Sequence, residues 1–201
     1  MGLIVDIFCI SVFITGIINI KYTYRLWPML VFLTASEITN ITFYISLPLN
    51  ANRHIYMNFI IVEAGCFIIF FKDFLKLKQF LLIVTGALFL LFIFINIKKG
   101  DIFLTTFLSV SPALLIIIGC AFYFFNLLKE PYSGSPTKSP YFWLVTGACF
   151  HFLLTFPSSF FKGILKGHYL MLESINSITI ELSYLTLYLC ILKAFLCRNS
   201  N

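Results

Sequence analysis

Seven long apolar runs separated by short polar breaks account for almost the whole chain: residues 3–20, 29–47, 55–71, 80–97, 102–128, 141–161 and 169–196. Each is at or near the roughly 20 residues that carry an α-helix across about 30 Å of hydrocarbon. The runs are continuously apolar, whereas barrel strands would alternate apolar and polar positions, so helices are the element they predict. The pattern predicts an all-α, polytopic membrane protein of seven transmembrane helices in a single domain, 1–201.

Polar residues inside such runs need a reason, because a carboxyl at bilayer depth costs a few kcal/mol and is expected to face protein or water. The seventh run holds Glu173, Asn176, Glu181 and Tyr184. In the second, Thr34, Glu37, Asn40 and Tyr44 recur at three- and four-residue steps and share one helix face. The third carries Tyr56, Asn58, Phe59 and Glu63, and the sixth sets Gly147, His151, Thr155 and Ser158 on one face. Glu37, Glu63, His151 and Glu181 fall about halfway along their runs, so a convergent polar centre is expected. The plainer reading of the same stripe is interhelical hydrogen bonding without function.

The fourth run has few polar residues besides Thr85 and Asn96 and reads as a lipid-facing helix. The fifth is long, and Pro112 is its expected kink. Residues 129–140, rich in Pro, Ser and Gly, read as a flexible inner connection.

Composition agrees with a membrane location: 60% of the 201 residues are hydrophobic, 25 are Phe and only 11% are charged. Basic residues near the run ends set orientation. Lys21, Arg25, Lys72, Lys76, Lys78, Lys129, Lys138, Lys193 and Arg198 flank one side, against Arg53, Lys98, Lys99, Lys162 and Lys166 on the other. The N-terminus is therefore expected outside and the C-terminus in the cytoplasm. The net charge of +6 follows from this topology and from attraction to anionic lipid, and no basic run or soluble domain offers a nucleic-acid surface. The first run lacks a basic n-region and is read as a helix rather than a signal peptide. Cys9, Cys66, Cys120, Cys149, Cys190 and Cys197 stand singly, with no C-x-x-C pair, and read as small packing residues.

The third and seventh runs each contain an Asn followed five residues later by a Glu, Asn58 to Glu63 and Asn176 to Glu181, with His54 and His168 on the outer side of each. Helices 1–3 (1–79) and 5–7 (102–201) thus form a possible 3+1+3 internal repeat about a connector helix at 80–97. In layout this resembles the PQ-loop and SWEET sugar carriers, which implies that polar residues of the third and seventh helices face a central site. More closely, Tyr56-x-x-Phe59-x-x-x-Glu63, Phe142-Trp143-x-x-x-Gly147 and the Asn176 segment resemble small bacterial seven-helix membrane proteins of unknown function. That resemblance implies a multi-pass protein of the bacterial inner membrane and carries over no activity.

Three carboxyls and one imidazole in a low-dielectric centre suit proton exchange, or the binding of a small polar or cationic ligand. Glu37, Glu63, His151 and Glu181, with Asn40, Asn58, Asn176 and Tyr184 around them, are the expected ligand- or proton-binding residues. A membrane sensor or regulatory module that signals to a membrane partner through its inner loops ranks first. A proton-coupled small-molecule transporter ranks second, and an intramembrane metal-dependent hydrolase third. An enzyme is disfavoured because only one histidine lies in a run and no H-E-x-x-H spacing occurs. No catalytic residue, metal ligand or cofactor is expected.

Overall fold

A computed structural model describes residues 3–19, 21, 24–45, 52–75, 102–129, 135–164 and 169–197, and the connector at 80–97 lies outside them. All regular structure among the described residues is helical, so the chain is all-α. Six α-helices run in order: α1 Leu3–Ile18, α2 Trp27–Ile45, α3 Asn52–Leu75, α4 Ile102–Lys129, α5 Pro140–Ile164 and α6 Tyr169–Leu196, with short 3-10 turns at Tyr24–Leu26 and Pro136–Lys138. Pro28 sits in the first turn of α2 and Pro140 opens α5, where a missing N–H leaves no helical bond unmade.

Each helix packs on its neighbour in sequence order and α6 returns to α1, so the contacts close on themselves, with the α5–α6 and α4–α5 seams the broadest. Gly16 near the end of α1 lies against Leu30 at the start of α2 and Phe195 at the end of α6. Phe70 near the end of α3 stacks on Tyr141 at the start of α5, ring centroids 5.8 Å apart. The Cys197 thiol reaches the Thr137 carbonyl at 3.9 Å. These contacts gather the ends of α1, α3 and α6 and the starts of α2 and α5 at one end of the bundle. Exposed Lys21, Arg25, Lys129, Lys138 and Lys193 stand at the helix ends there.

The helices are apolar on both faces. On α1, Val5, Cys9 and Val12 are buried, while Ile4, Ile7, Ile10, Ile14 and Ile17 line the exposed side. On α4, Val110, Ala113, Ile116, Cys120 and Tyr123 point inward and Leu114, Leu115, Ile118, Phe122 and Phe125 outward. The segments Pro112–Lys129 and Ser177–Leu196 are long and apolar enough to cross a membrane, and less than half of either is buried within the bundle. Exposed hydroxyls bond their own helix: Ser11 donates to the Ile7 carbonyl (2.9 Å), Thr34 to Leu30 (2.8 Å) and Thr42 to Ile38 (2.6 Å).

Of the 129–140 connection the described residues are Lys129 and 135–140. Helix α4 continues through Lys129, and its far half is an ordered turn in which the amides of Lys138 and Ser139 bond back to the carbonyls of Ser135 and Pro136. The Trp143 indole N–H then donates to the Thr137 carbonyl at 2.7 Å, tying the turn to α5. Likewise the polar stretch 48–54, which reads as a turn, is already helical from Asn52.

Candidate functional site

Glu63 stands near the middle of α3, on the face that also carries Phe59, Cys66, Phe67 and Phe70, all buried. Those positions recur at three and four residues and turn the carboxyl into the bundle. His151 holds the equivalent place on α5, on the face of Leu144, Ala148 and Phe152. The two meet across the bundle: His151 Nε2 lies 3.2 Å from Glu63 Oε1, with the residues only 2% and 5% exposed. That distance is ion-pair contact without hydrogen-bond alignment, and Glu63 Oε1 and His151 Nδ1 have no hydrogen-bond partner among the described residues.

An aromatic collar fixes the imidazole. Its ring centroid is 4.5 Å from that of Tyr184 on α6 and 4.9 Å, edge-on, from that of Phe152. Phe152 in turn meets Phe67 edge-on at 5.3 Å, and Phe59 lies 6.4 Å from Tyr184. Beside the pair is a cavity of about 90 Å³ bounded by Ile60, Glu63 and Ala64 of α3, Val110, Pro112 and Ala113 of α4, His151, Phe152, Thr155 and Phe156 of α5, and Ile180 and Tyr184 of α6. Pro112, inside α4, has no N–H to donate to the preceding turn and forms part of the cavity wall. The Thr155 hydroxyl donates to the His151 carbonyl at 2.8 Å, leaving its oxygen lone pairs as acceptors.

Glu37 and Asn40 face α1. Asn40 Nδ2 donates to Asp6 Oδ1 at 2.9 Å, and Cys9 lies within hydrogen-bond reach of both the Glu37 carboxyl and Tyr188. Glu37 Oε1 has no hydrogen-bond partner among the described residues. Tyr188 closes this second polar group through a 2.7 Å bond to Ser36. Glu181 is half-buried on α6, and no ion pair or hydrogen bond joins it to Glu63 or His151 among the described residues. The side chains of Tyr44, Asn58 and Asn176 lie outside the described set.

The structure therefore joins Glu63, His151 and Tyr184 about one cavity and sets Glu37 and Asn40 with Asp6 and Cys9. Sequence reasoning missed Ser36, Cys9 and Tyr188. Ser36 was legible: Met29, Phe32, Leu33 and Ser36 trace the i, i+3, i+4, i+7 face that packs inward, whereas Thr34 of the polar stripe is exposed. Among the described residues no group of three His, Cys, Asp or Glu side chains is placed to hold a metal ion. Comparison with protein families, with characterised proteins and with solved structures yields no match.

Proposed function

We propose that this chain is a seven-helix, multi-pass protein of the bacterial cytoplasmic membrane, with its N-terminus outside. In this reading the Glu63–His151 site binds protons or a small polar or cationic ligand, and the protein acts as a membrane sensor or regulatory module. The observation that carries the site is the buried carboxyl–imidazole contact at 3.2 Å, with an unsatisfied acid oxygen and an unsatisfied ring nitrogen beside a cavity. Buried polar atoms are nearly always hydrogen-bonded, so unsatisfied atoms on both partners support a role in binding.

Three features support the membrane setting. Helices apolar on every face suit lipid rather than water outside the bundle. Hydroxyls on the exposed faces are satisfied by their own backbone, as a medium without water requires. The described cationic side chains stand at one end of the bundle, which under the positive-inside rule is the cytoplasmic end and the place where a partner would read the inner loops.

The cavity size favours sensing over carriage of an organic solute. At about 90 Å³ it is smaller than the ~300 Å³ and more that small-molecule pockets usually offer. A proton-coupled transporter remains the second reading, and Pro112 at the cavity wall is the hinge it would use. Reconstitution of the chain alone in vesicles containing a pH-sensitive dye separates them. A sensor gives no flux above protein-free vesicles, while its His151 ring titrates by NMR with a midpoint that moves in Glu63→Gln. Flux that disappears in Glu63→Gln establishes the carrier instead. An imidazole that does not titrate removes both readings.

A further inference from the structure

We propose that the cavity beside Glu63 and His151 binds a small ammonium-type cation, in competition with a proton on His151. The inference rests on the reading of this centre as a ligand- and proton-binding site, and deepens it by naming the ligand class. Three properties of the walls select that class.

The first is the hydrogen-bond inventory. His151 Nδ1 has no hydrogen-bond partner among the described residues, and in the neutral tautomer that turns its N–H toward Glu63 it presents a lone pair. Glu63 Oε1 is a further acceptor, and the Thr155 hydroxyl, its proton committed to the His151 carbonyl, is a third. These three atoms accept and the Tyr184 hydroxyl at the cavity wall can accept or donate, so a ligand carrying several donors matches the set.

The second is charge. Among the described residues no lysine or arginine pairs with Glu63, and the described cationic side chains stand at the end of the bundle. An ionised Glu63 is neutralised either by a proton on the imidazole or by a cation in the cavity. A charged imidazole beside a cation would be repelled, so the two exclude each other. Among the described side chains the titratable groups that face the pair are Cys66 on α3 and Tyr184 and Tyr188 on α6, while α4 presents Val110, Pro112 and Ala113 to the cavity.

The third is size and the nature of the remaining walls. Phe152, Phe156 and Tyr184 bring aromatic rings to the cavity, and aromatic faces attract ammonium groups. At the roughly 30 Å³ that a water occupies in the liquid, a cavity of about 90 Å³ takes about three such groups, which suits ammonium or methylammonium with a water beside it.

The test is calorimetric titration of methylammonium chloride into the full chain in lipid nanodiscs, at about pH 8 and about pH 6, with helicity followed by circular dichroism. The expected result is saturable binding at the higher pH that weakens by about tenfold per pH unit once the imidazole is protonated. Binding is expected to vanish in Glu63→Gln and to weaken several-fold in Thr155→Val, which leaves both titrating partners in place. Should Glu63→Gln fail to fold, the pH dependence of the unaltered chain and the Thr155→Val variant still decide. No saturable heat in the folded protein overturns the proposal, as does equal affinity at both pH values or undiminished binding in folded Glu63→Gln. If the His151 ring titrates by NMR while methylammonium does not bind, only this inference falls. If the ring does not titrate, the underlying reading falls with it.

Discussion

Tyr188 and Ser36, 152 residues apart in sequence, share a 2.7 Å hydrogen bond between hydroxyls that are both essentially inaccessible to solvent. It pins α6 to α2 across the interior, and Tyr188 also lies 5.9 Å from Tyr184, the aromatic neighbour of His151. The bond therefore connects the frame to the site. Removing one hydroxyl deprives the other, still buried, of this bond, while removing both leaves an apolar contact.

Tyr188→Phe and Ser36→Ala should accordingly each lower stability by about 1 kcal/mol, and the double variant should lose less than their sum, with a coupling of about 0.6–1.5 kcal/mol. Unfolding free energies in detergent micelles measure the cycle. Strict additivity would mean that the bond contributes nothing.

The α5–α6 seam makes a sharper stability claim. A Cβ at Gly147 would stand 2.6 Å from Cys190 Cβ and 3.3 Å from Leu187 Cδ1, whereas one at Gly65 meets nothing within 4 Å. Cys190 Cβ is fixed to the backbone and cannot swing away, so Gly147→Ala must push the helices apart, at about 1–3 kcal/mol. Gly65→Ala should be neutral or slightly stabilising, since alanine is the better helix former. The order of the two melting temperatures is the readout, and equal values would mean the seam is looser than drawn.

How much of this could be read from the sequence follows from which physical quantity each feature depends on. Helix positions depend on hydrophobic length: the run 169–196 coincides with α6, and 102–128 falls one residue short of α4. Depth follows from the same limits, which is why Glu63 and His151 could be expected at one level. Rotation about the helix axis is different. With isoleucines on one side of α1 and Val5, Cys9 and Val12 on the other, no amphipathic contrast tells inside from outside. Glu37 has the same depth as Glu63, yet it interacts with Cys9 and Asp6 on α1, and depth alone had no means of saying so. The polar stripe of α2 misled for the same reason: Thr34 points outward and satisfies itself on Leu30, whereas Ser36, outside the stripe, faces in.

The Glu63–His151 contact should be poor stabilisation by itself, because a buried ion pair gives back in attraction little more than its desolvation costs. Removing one partner, as in Glu63→Leu or His151→Phe, should cost about 3–5 kcal/mol by leaving the other buried and unpaired. The double variant should recover to within about 1–2 kcal/mol of the parent. If it does so and loses any response to pH, the pair is retained for its chemistry. A double variant no more stable than either single one would make it a structural strut.

Orientation can be decided with a thiol the chain already carries. Cys9, Cys66, Cys120 and Cys190 are buried in helices and Cys149 is half-buried within α5, whereas Cys197 follows the last turn of α6 beside the cationic end. Partial burial raises the Cys197 thiol above its ordinary range, while Lys193 nearby opposes the rise. Since the thiolate is the reacting form, alkylation should be slow at neutral pH and quicken as the solution becomes alkaline, and Lys193→Ala should slow it further. In the proposed topology the end that carries Lys21, Arg25, Lys129, Lys138 and Lys193 is the cytoplasmic one. A membrane-impermeant maleimide should therefore label Cys197 in inside-out vesicles and leave intact cells unlabelled, with Cys197→Ser abolishing the signal. Labelling of intact cells that disappears in Cys197→Ser would invert the topology and put the basic end outside.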